Sequence, residues 1–176
     1  MKKLLALALS ACLTLFVCGC SMAPEEIVEF TIPASMTEYM DVDQITEVSG
    51  EEGIEVVTNN DGSITYSMPK SKHDELMNEL RAGFDEQISA LAGSSDYPTI
   101  TEVTTNDDYT KFTVKTTSEE LSLEESLLSL QLYMYGGFYN MFAGNTDETN
   151  IKIDYINANT GDMIDSIDSA NMAQPE

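Results

Sequence analysis

Residues 54 to 68 read Ile54-Glu55-Val56-Val57-Thr58-Asn59-Asn60-Asp61-Gly62-Ser63-Ile64-Thr65-Tyr66-Ser67-Met68. Ile54 and Val56 alternate with polar neighbours, and Ile64, Tyr66 and Met68 alternate again. Between them Asn59-Asn60-Asp61-Gly62 supplies the positive backbone angle that a tight reversal requires. The stretch therefore predicts a β-hairpin with one apolar face, which needs a second layer to cover it.

That layer follows in the chain. Leu76, Met77, Leu80, Phe84, Ile88 and Leu91 form one stripe at helical spacing, predicting a helix from about Lys72 to Leu91. Ser71 with Asp74 resembles a capping box at its start, and Gly93 stands at its end. A second hairpin is expected over 99 to 116, turning at Asn106-Asp107-Asp108-Tyr109 with Phe112 and Val114 inward. A second long helix runs from about Ser122 to Ala143, where Ser122 and Glu125 match the capping box. A third hairpin, 150 to 168, turns at Asn157-Ala158-Asn159-Thr160-Gly161.

Upstream, Val28, Phe30 and Ile32 alternate with Glu29 and Thr31 as a half-buried strand closed by Pro33. Val42, Ile45 and Val48, after a possible cap at Asp41, suggest a short helix ended by Gly50 or Gly53. Hairpins joined by helices give an α+β fold: an antiparallel sheet with two long helices and one short helix packed on one face. The other face is expected to be solvated, with Thr65, Ser67, Thr113 and Asp154 on it. Glu55 to Asp61 returns 47 residues later as Glu102 to Asp108, each time before a helix. Duplication and shared turn chemistry both account for that match.

The N-terminus carries an address. Lys2 and Lys3 precede an apolar run from Leu4 to Val17, the order of a secretory signal. The run is too short to span a bilayer, which takes about 20 apolar residues. It ends Val17-Cys18-Gly19-Cys20-Ser21, which resembles the lipobox of bacterial lipoproteins. Cys18 follows Val17 and lacks the small residue before it. Modification at Cys12 would leave Leu13 to Val17 exposed, so Cys20 is the expected lipidation site. Residues 1 to 19 are then a signal peptide, 20 to 26 the lipidated cysteine and a short linker, 27 to 170 a single α+β domain and 171 to 176 a flexible tail. Six extended linker residues reach about 20 Å, which keeps the domain near the membrane.

Beyond Cys20 there is no further cysteine, so no disulfide within the chain, thiolate metal site or cysteine nucleophile is available there. All 31 acidic residues lie beyond residue 19, against Lys70, Lys72, Arg81, Lys111, Lys115 and Lys152, and the formal charge of -23 falls by two to -25 once Lys2 and Lys3 are removed. Nucleic acid is not expected as a partner, because phosphate neutralisation needs clustered Lys and Arg. A cationic partner and plain solubility both account for the charge.

Chemistry is weakly signalled. Ser67-Met68-Pro69-Lys70 has the serine-to-lysine spacing of penicillin-binding proteins and β-lactamases, but Pro69 breaks the helical turn that would join the two side chains, and Lys115-Thr116-Thr117 lacks the glycine of the companion motif. His73, the only histidine, is expected at an exposed helix start. Carboxylate pairs such as Glu51-Glu52, Asp107-Asp108 and Glu119-Glu120 are too many for one to be nominated as an acid and base. Asn59, Asp61 and Ser63 alternate like part of a calcium loop, without its terminal glutamate. No catalytic residue, metal ligand or cofactor is therefore assigned. The most distinctive stretch is Leu130 to Phe142, apolar nearly all round and carrying Gly136-Gly137 at a cost in helix stability. It supplies core, or else an adaptable ligand or partner surface of Tyr133, Tyr135, Tyr139 and Phe142.

The signal, the hairpin Glu55 to Tyr66, the Lys72-His73-Asp74-Glu75 helix start and Leu121-Ser122-Leu123-Glu124-Glu125-Ser126 together resemble the small uncharacterised lipoproteins of Clostridia and related Gram-positive gut bacteria. The resemblance implies attachment to the outer leaflet of the cytoplasmic membrane and carries over no activity or site residue. The expectation is an extracytoplasmic, membrane-anchored lipoprotein acting as a non-enzymatic binding or interaction module at the cell envelope, its partner an envelope protein or a cationic one. The alternative is a small envelope enzyme, or a binder of a small hydrophobic or cationic ligand.

Overall fold

A computed structural model describes residues 25–37, 53–145 and 150–172. The expected signal peptide, Cys20 and the helix expected around Val42 to Val48 lie outside the described residues. Strands are β1 (Ile27–Ile32), β2 (Glu55–Thr58), β3 (Ile64–Pro69), β4 (Ile100–Thr105), β5 (Lys111–Thr116), β6 (Lys152–Asn157) and β7 (Met163–Asp168). Helices are α1 (Ala34–Thr37), α2 (Lys70–Leu91), α3 (Leu123–Phe142) and α4 (Ser169–Met172). The fold class is α+β, as the periodicities indicate.

The chain divides into two compact units, residues 1–80 with 141–146 and residues 81–140 with 147–176. The strands accordingly form two sheets, of order β1-β3-β2 and β4-β5-β6-β7, where one antiparallel sheet was expected. The second sheet is also mixed, since β6 runs parallel to β5. Parallel neighbours cannot be joined by a tight turn and need a crossover, and α3 is that crossover.

In the first unit every pairing is antiparallel, and the register sets Phe30 opposite Tyr66 and Ile32 opposite Ile64. Phe30, Ile32, Ile64, Tyr66 and Met68 are buried on one face with Leu76, Leu80 and Phe142. Phe30 stacks on Tyr66 with ring centroids 5.0 Å apart and meets Phe142 edge-on at 5.2 Å. The opposite face is hydrogen-bonded: Thr31 to Thr65 at 3.0 Å and Ser67 to Glu29 at 2.7 Å. Gly62 takes the left-handed angle, φ 85°, that the turn demands.

Two expectations about the start of α2 are corrected by one pairing. Because Ile27 lies opposite Pro69, residues 25 and 26 run beside 70 and 71. The Ser71 N–H donates to the Glu25 carboxylate at 2.7 Å, and the Lys70 N–H to the Glu26 carbonyl at 2.8 Å. The cap thus comes from the segment just ahead of β1, and Asp74 is bound by Lys70 at 2.6 Å instead of closing a box with Ser71. His73 shares the inward face with Leu76 and Leu80, three and seven positions on. It is buried, and its Nε2–H donates to the Phe142 carbonyl at 2.8 Å.

In the second unit Phe112 and Val114 pair with Ile153 and Tyr155. These four are fully buried with Ile88, Leu128 and Leu132. Thr113 and Asp154 fall on the opposite face, but Asp154 is not solvated there; it is 4% exposed. Lys152 and Lys111 bring ammonium groups to its carboxylate at 3.2 and 3.5 Å, and the Ser166 hydroxyl donates at 2.7 Å. Burial pushes its pKa up, but Ser166 and the lysines outweigh burial and hold it below the ordinary carboxylate value.

Candidate functional site

Helix α3 begins as its sequence predicts. The Glu125 N–H donates to Ser122 Oγ at 3.2 Å, and the Ser122 N–H donates to Glu125 Oε2 at 2.8 Å, the reciprocal capping box. The other oxygen of Glu125 goes further than a cap does. Oε1 accepts hydroxyls from Thr99 at 2.9 Å, from Ser118 at 3.0 Å and from Thr116. Burial raises the pKa of this carboxylate, but these donors together outweigh burial and hold it below the usual range. The Tyr155 hydroxyl donates to the Glu125 carbonyl at 2.8 Å and accepts from Ser129, while burial pushes its pKa up to about 12. With both its oxygens engaged, Glu125 anchors the helix start to β5 and to the loop before β4.

Of Tyr133, Tyr135, Tyr139 and Phe142, considered as a ligand or partner surface, the last three are buried, and Tyr135 also lines an open groove. Tyr135 is buried, its hydroxyl donating to Gln87 at 3.0 Å and accepting from Gln131 at 3.1 Å. Tyr139 is buried against Tyr109, ring centroids 4.5 Å apart, and its hydroxyl accepts from Arg81 at 2.5 Å. Phe142 belongs to the aromatic cluster of the first unit. Tyr133 is half-buried, with its hydroxyl oxygen enclosed and unpartnered, and burial raises its pKa, assisted by the Asp168 charge. The aromatic weight of the helix therefore serves as core.

The large apolar side chains that α3 exposes are aliphatic. Leu123, Leu127 and Leu130 are 72%, 57% and 58% exposed. Their spacing, i, i+4 and i+7, places them on one stripe, while Leu128, Leu132, Tyr135 and Tyr139 form the buried one. Both stripes are apolar, so the periodicity of the sequence does not by itself say which of them packs inward. Each of the six cations among the described residues is paired with a carboxylate.

The same unit holds an open groove of 290 Å³, lined by Gln87, Ala90 and Leu91 of α2, by Ser94, Asp96 and Tyr97 of the following loop, and by Gln131 and Tyr135 of α3. The loop is fixed at both ends: the Gly93 N–H donates to the Ile100 carbonyl at 2.8 Å, and the Tyr97 N–H to Ser94 Oγ at 3.1 Å. Asn59, Asp61 and Ser63, the partial calcium loop, bind one another instead; Asp61 accepts the Ser63 hydroxyl at 2.7 Å and its amide at 3.0 Å. Among the described residues no group of three or more His, Cys, Asp or Glu could hold a metal ion, and no helix is long and apolar enough to cross a membrane. The chain matches no protein-family model, no curated protein and no solved structure.

Proposed function

We propose that this chain is an extracytoplasmic lipoprotein, anchored to the cell membrane through lipid on Cys20, whose second unit docks a cationic amphipathic helix of an envelope protein. The observation that carries the docking reading is the stripe Leu123, Leu127 and Leu130. Burying three such side chains is worth about 1.5 to 3 kcal/mol each in transfer terms, before the costs of association. Acceptance of a helix by an apolar stripe is a common recognition mode, read as anchors at i, i+4 and i+7.

Charge selects the occupant. The chain carries a formal charge of -23, and its described cations are already paired, so a partner that borders its apolar face with Lys or Arg is attracted. A second copy brings the same negative field, and three leucines fall well short of the roughly 800 Å² per partner of a stable dimer. The anchor reading rests on Lys2, Lys3, the apolar run to Val17 and the ending Val17-Cys18-Gly19-Cys20.

The test uses the full-length chain and two synthetic helices with leucine at the docking positions, one flanked by lysine and one by glutamate. The lysine helix is expected to bind, and Leu127→Gln with Leu130→Gln to weaken it tenfold or more. Equal binding to the double variant, or self-association through the stripe, would sink the docking reading. Fatty-acyl labelling that persists in Cys20→Ser would separately overturn the anchor.

A further inference from the structure

The groove between Gln87, Asp96 and Tyr135 has a hydrogen-bonding character set by its own wall. The Tyr135 hydroxyl spends its proton on Gln87 Oε1 at 3.0 Å; Gln131 Nε2 donates to Tyr135 at 3.1 Å, and Gln87 Nε2 to the Gly83 carbonyl at 3.3 Å. One N–H of each amide and the phenol proton of Tyr135 are thus engaged internally. Among the acceptors that the lining offers a visitor are the Asp96 carboxylate, contacted by Ser95 only at 3.4 Å, and the Gln131 carbonyl. No Lys or Arg lines the groove, and Asp96 belongs to none of the ion pairs among the described residues. The remaining wall is Ala90, Leu91, Tyr97 and Tyr135, with the Ser94 hydroxyl beside them.

We infer that this groove binds a small organic cation, a primary amine with an apolar body. The ammonium meets the Asp96 carboxylate, the one charged group of the lining. The body covers Leu91 and the tyrosine rings, whose faces attract a cation. The field of a strongly acidic chain raises the local concentration of such a ligand. A volume of 290 Å³ lies at the small end of ligand sites, which suits a compact amine. The inference is independent of the leucine stripe, and either can fail without the other.

The probe is phenethylamine, titrated into the isotopically labelled full-length chain in detergent micelles and followed by amide chemical shifts. Binding on the order of 1 mM is expected for so small a ligand in an open groove, with shifts concentrated at Gln87, Asp96, Tyr97 and Gln131. Asp96→Asn should weaken it about two- to fivefold, the scale of one exposed charge pair. Glu119→Gln, which removes the same charge from outside the groove, should leave it unchanged. Gln131→Lys, which supplies a cation from the wall itself, should abolish it. Three outcomes overturn the inference: phenylethanol binding as tightly as the amine, Glu119→Gln weakening binding as much as Asp96→Asn, or shifts lying away from the groove. Asp96 is exposed, so both acid variants are expected to fold.

Discussion

The Nε2–H of His73 donates to the backbone carbonyl of Phe142 at 2.8 Å, joining the first turn of α2 to the last residue of α3 inside the first unit. The carbonyls of a final helical turn have no partner within the helix, so the imidazole satisfies a buried acceptor that packing alone would strand. His73→Phe keeps a ring beside Phe30 but has no donor. It should lower stability by about 1 to 3 kcal/mol, the cost of leaving a buried polar group unsatisfied. His73→Gln, which can still donate, should recover part of that loss. The measurement is the urea midpoint of each variant; a His73→Phe midpoint equal to that of the parent chain would show the bond to be dispensable.

Glu125 predicts an acid sensitivity. Its carboxylate is nearly inaccessible, 2% exposed, and its pKa is held below the ordinary 4.5 by the Ser122 amide and the hydroxyls of Thr116, Thr99 and Ser118, against the opposing effect of burial. A carboxylate whose folded pKa is depressed contributes stability that is fully present above its unfolded value and disappears as pH falls through the folded one. Stability should therefore begin to fall below about pH 4.5, and Glu125→Gln should remove that part of the slope. At pH 7 the same variant should cost about 1 to 3 kcal/mol, because an amide nitrogen cannot accept the hydroxyls that the carboxylate accepts. Urea unfolding at pH values between 3 and 7 reads both effects. Identical slopes in the parent and Glu125→Gln chains would refute the assignment.

Features written within a few residues were legible in the sequence. Ser122 and Glu125 stand one helical turn apart, and Gly62 and Gly161 take left-handed angles in the turns expected for them, φ 85° and 79°. The match between residues 55 to 61 and 102 to 108 extends to the next position, where Tyr109 also has a positive φ of 53°. That residue shows the limit of local reading. Turn chemistry places it in a loop, yet its ring is buried and its hydroxyl donates to Asp85 at 2.5 Å. The other misreadings share this cause. Glu25 caps a helix that starts 45 residues later, Asp154 is paired with Lys111 from an adjoining strand, and β6 joins β5 through a crossover. None of these partnerships leaves a periodicity. The aromatic residues of α3 were visible, but which side of the helix they occupied depended on a sheet whose strand order was not.

The paired glycines of α3 look alike in sequence and have opposite roles in the structure. A methyl group added at Gly136 would overlap the Tyr109 carbonyl oxygen and stand 2.7 Å from Ile151 Cδ1, whereas one added at Gly137 would meet nothing within 4 Å. The carbonyl is backbone and cannot swing aside, so Gly136→Ala forces α3 away from the β4–β5 turn. It should cost about 1 to 3 kcal/mol, the range for overpacking a close contact. Gly137→Ala gains helix propensity without a clash and should stabilise by about 0.5 to 1 kcal/mol. Because both changes add one methyl group at adjacent positions of one helix, their difference in urea midpoint isolates the close approach from the general effect of removing a glycine. If Gly136→Ala proved as stabilising as Gly137→Ala, the contact of the helix with the Tyr109 carbonyl would have to be abandoned, and the glycine pair would need another explanation.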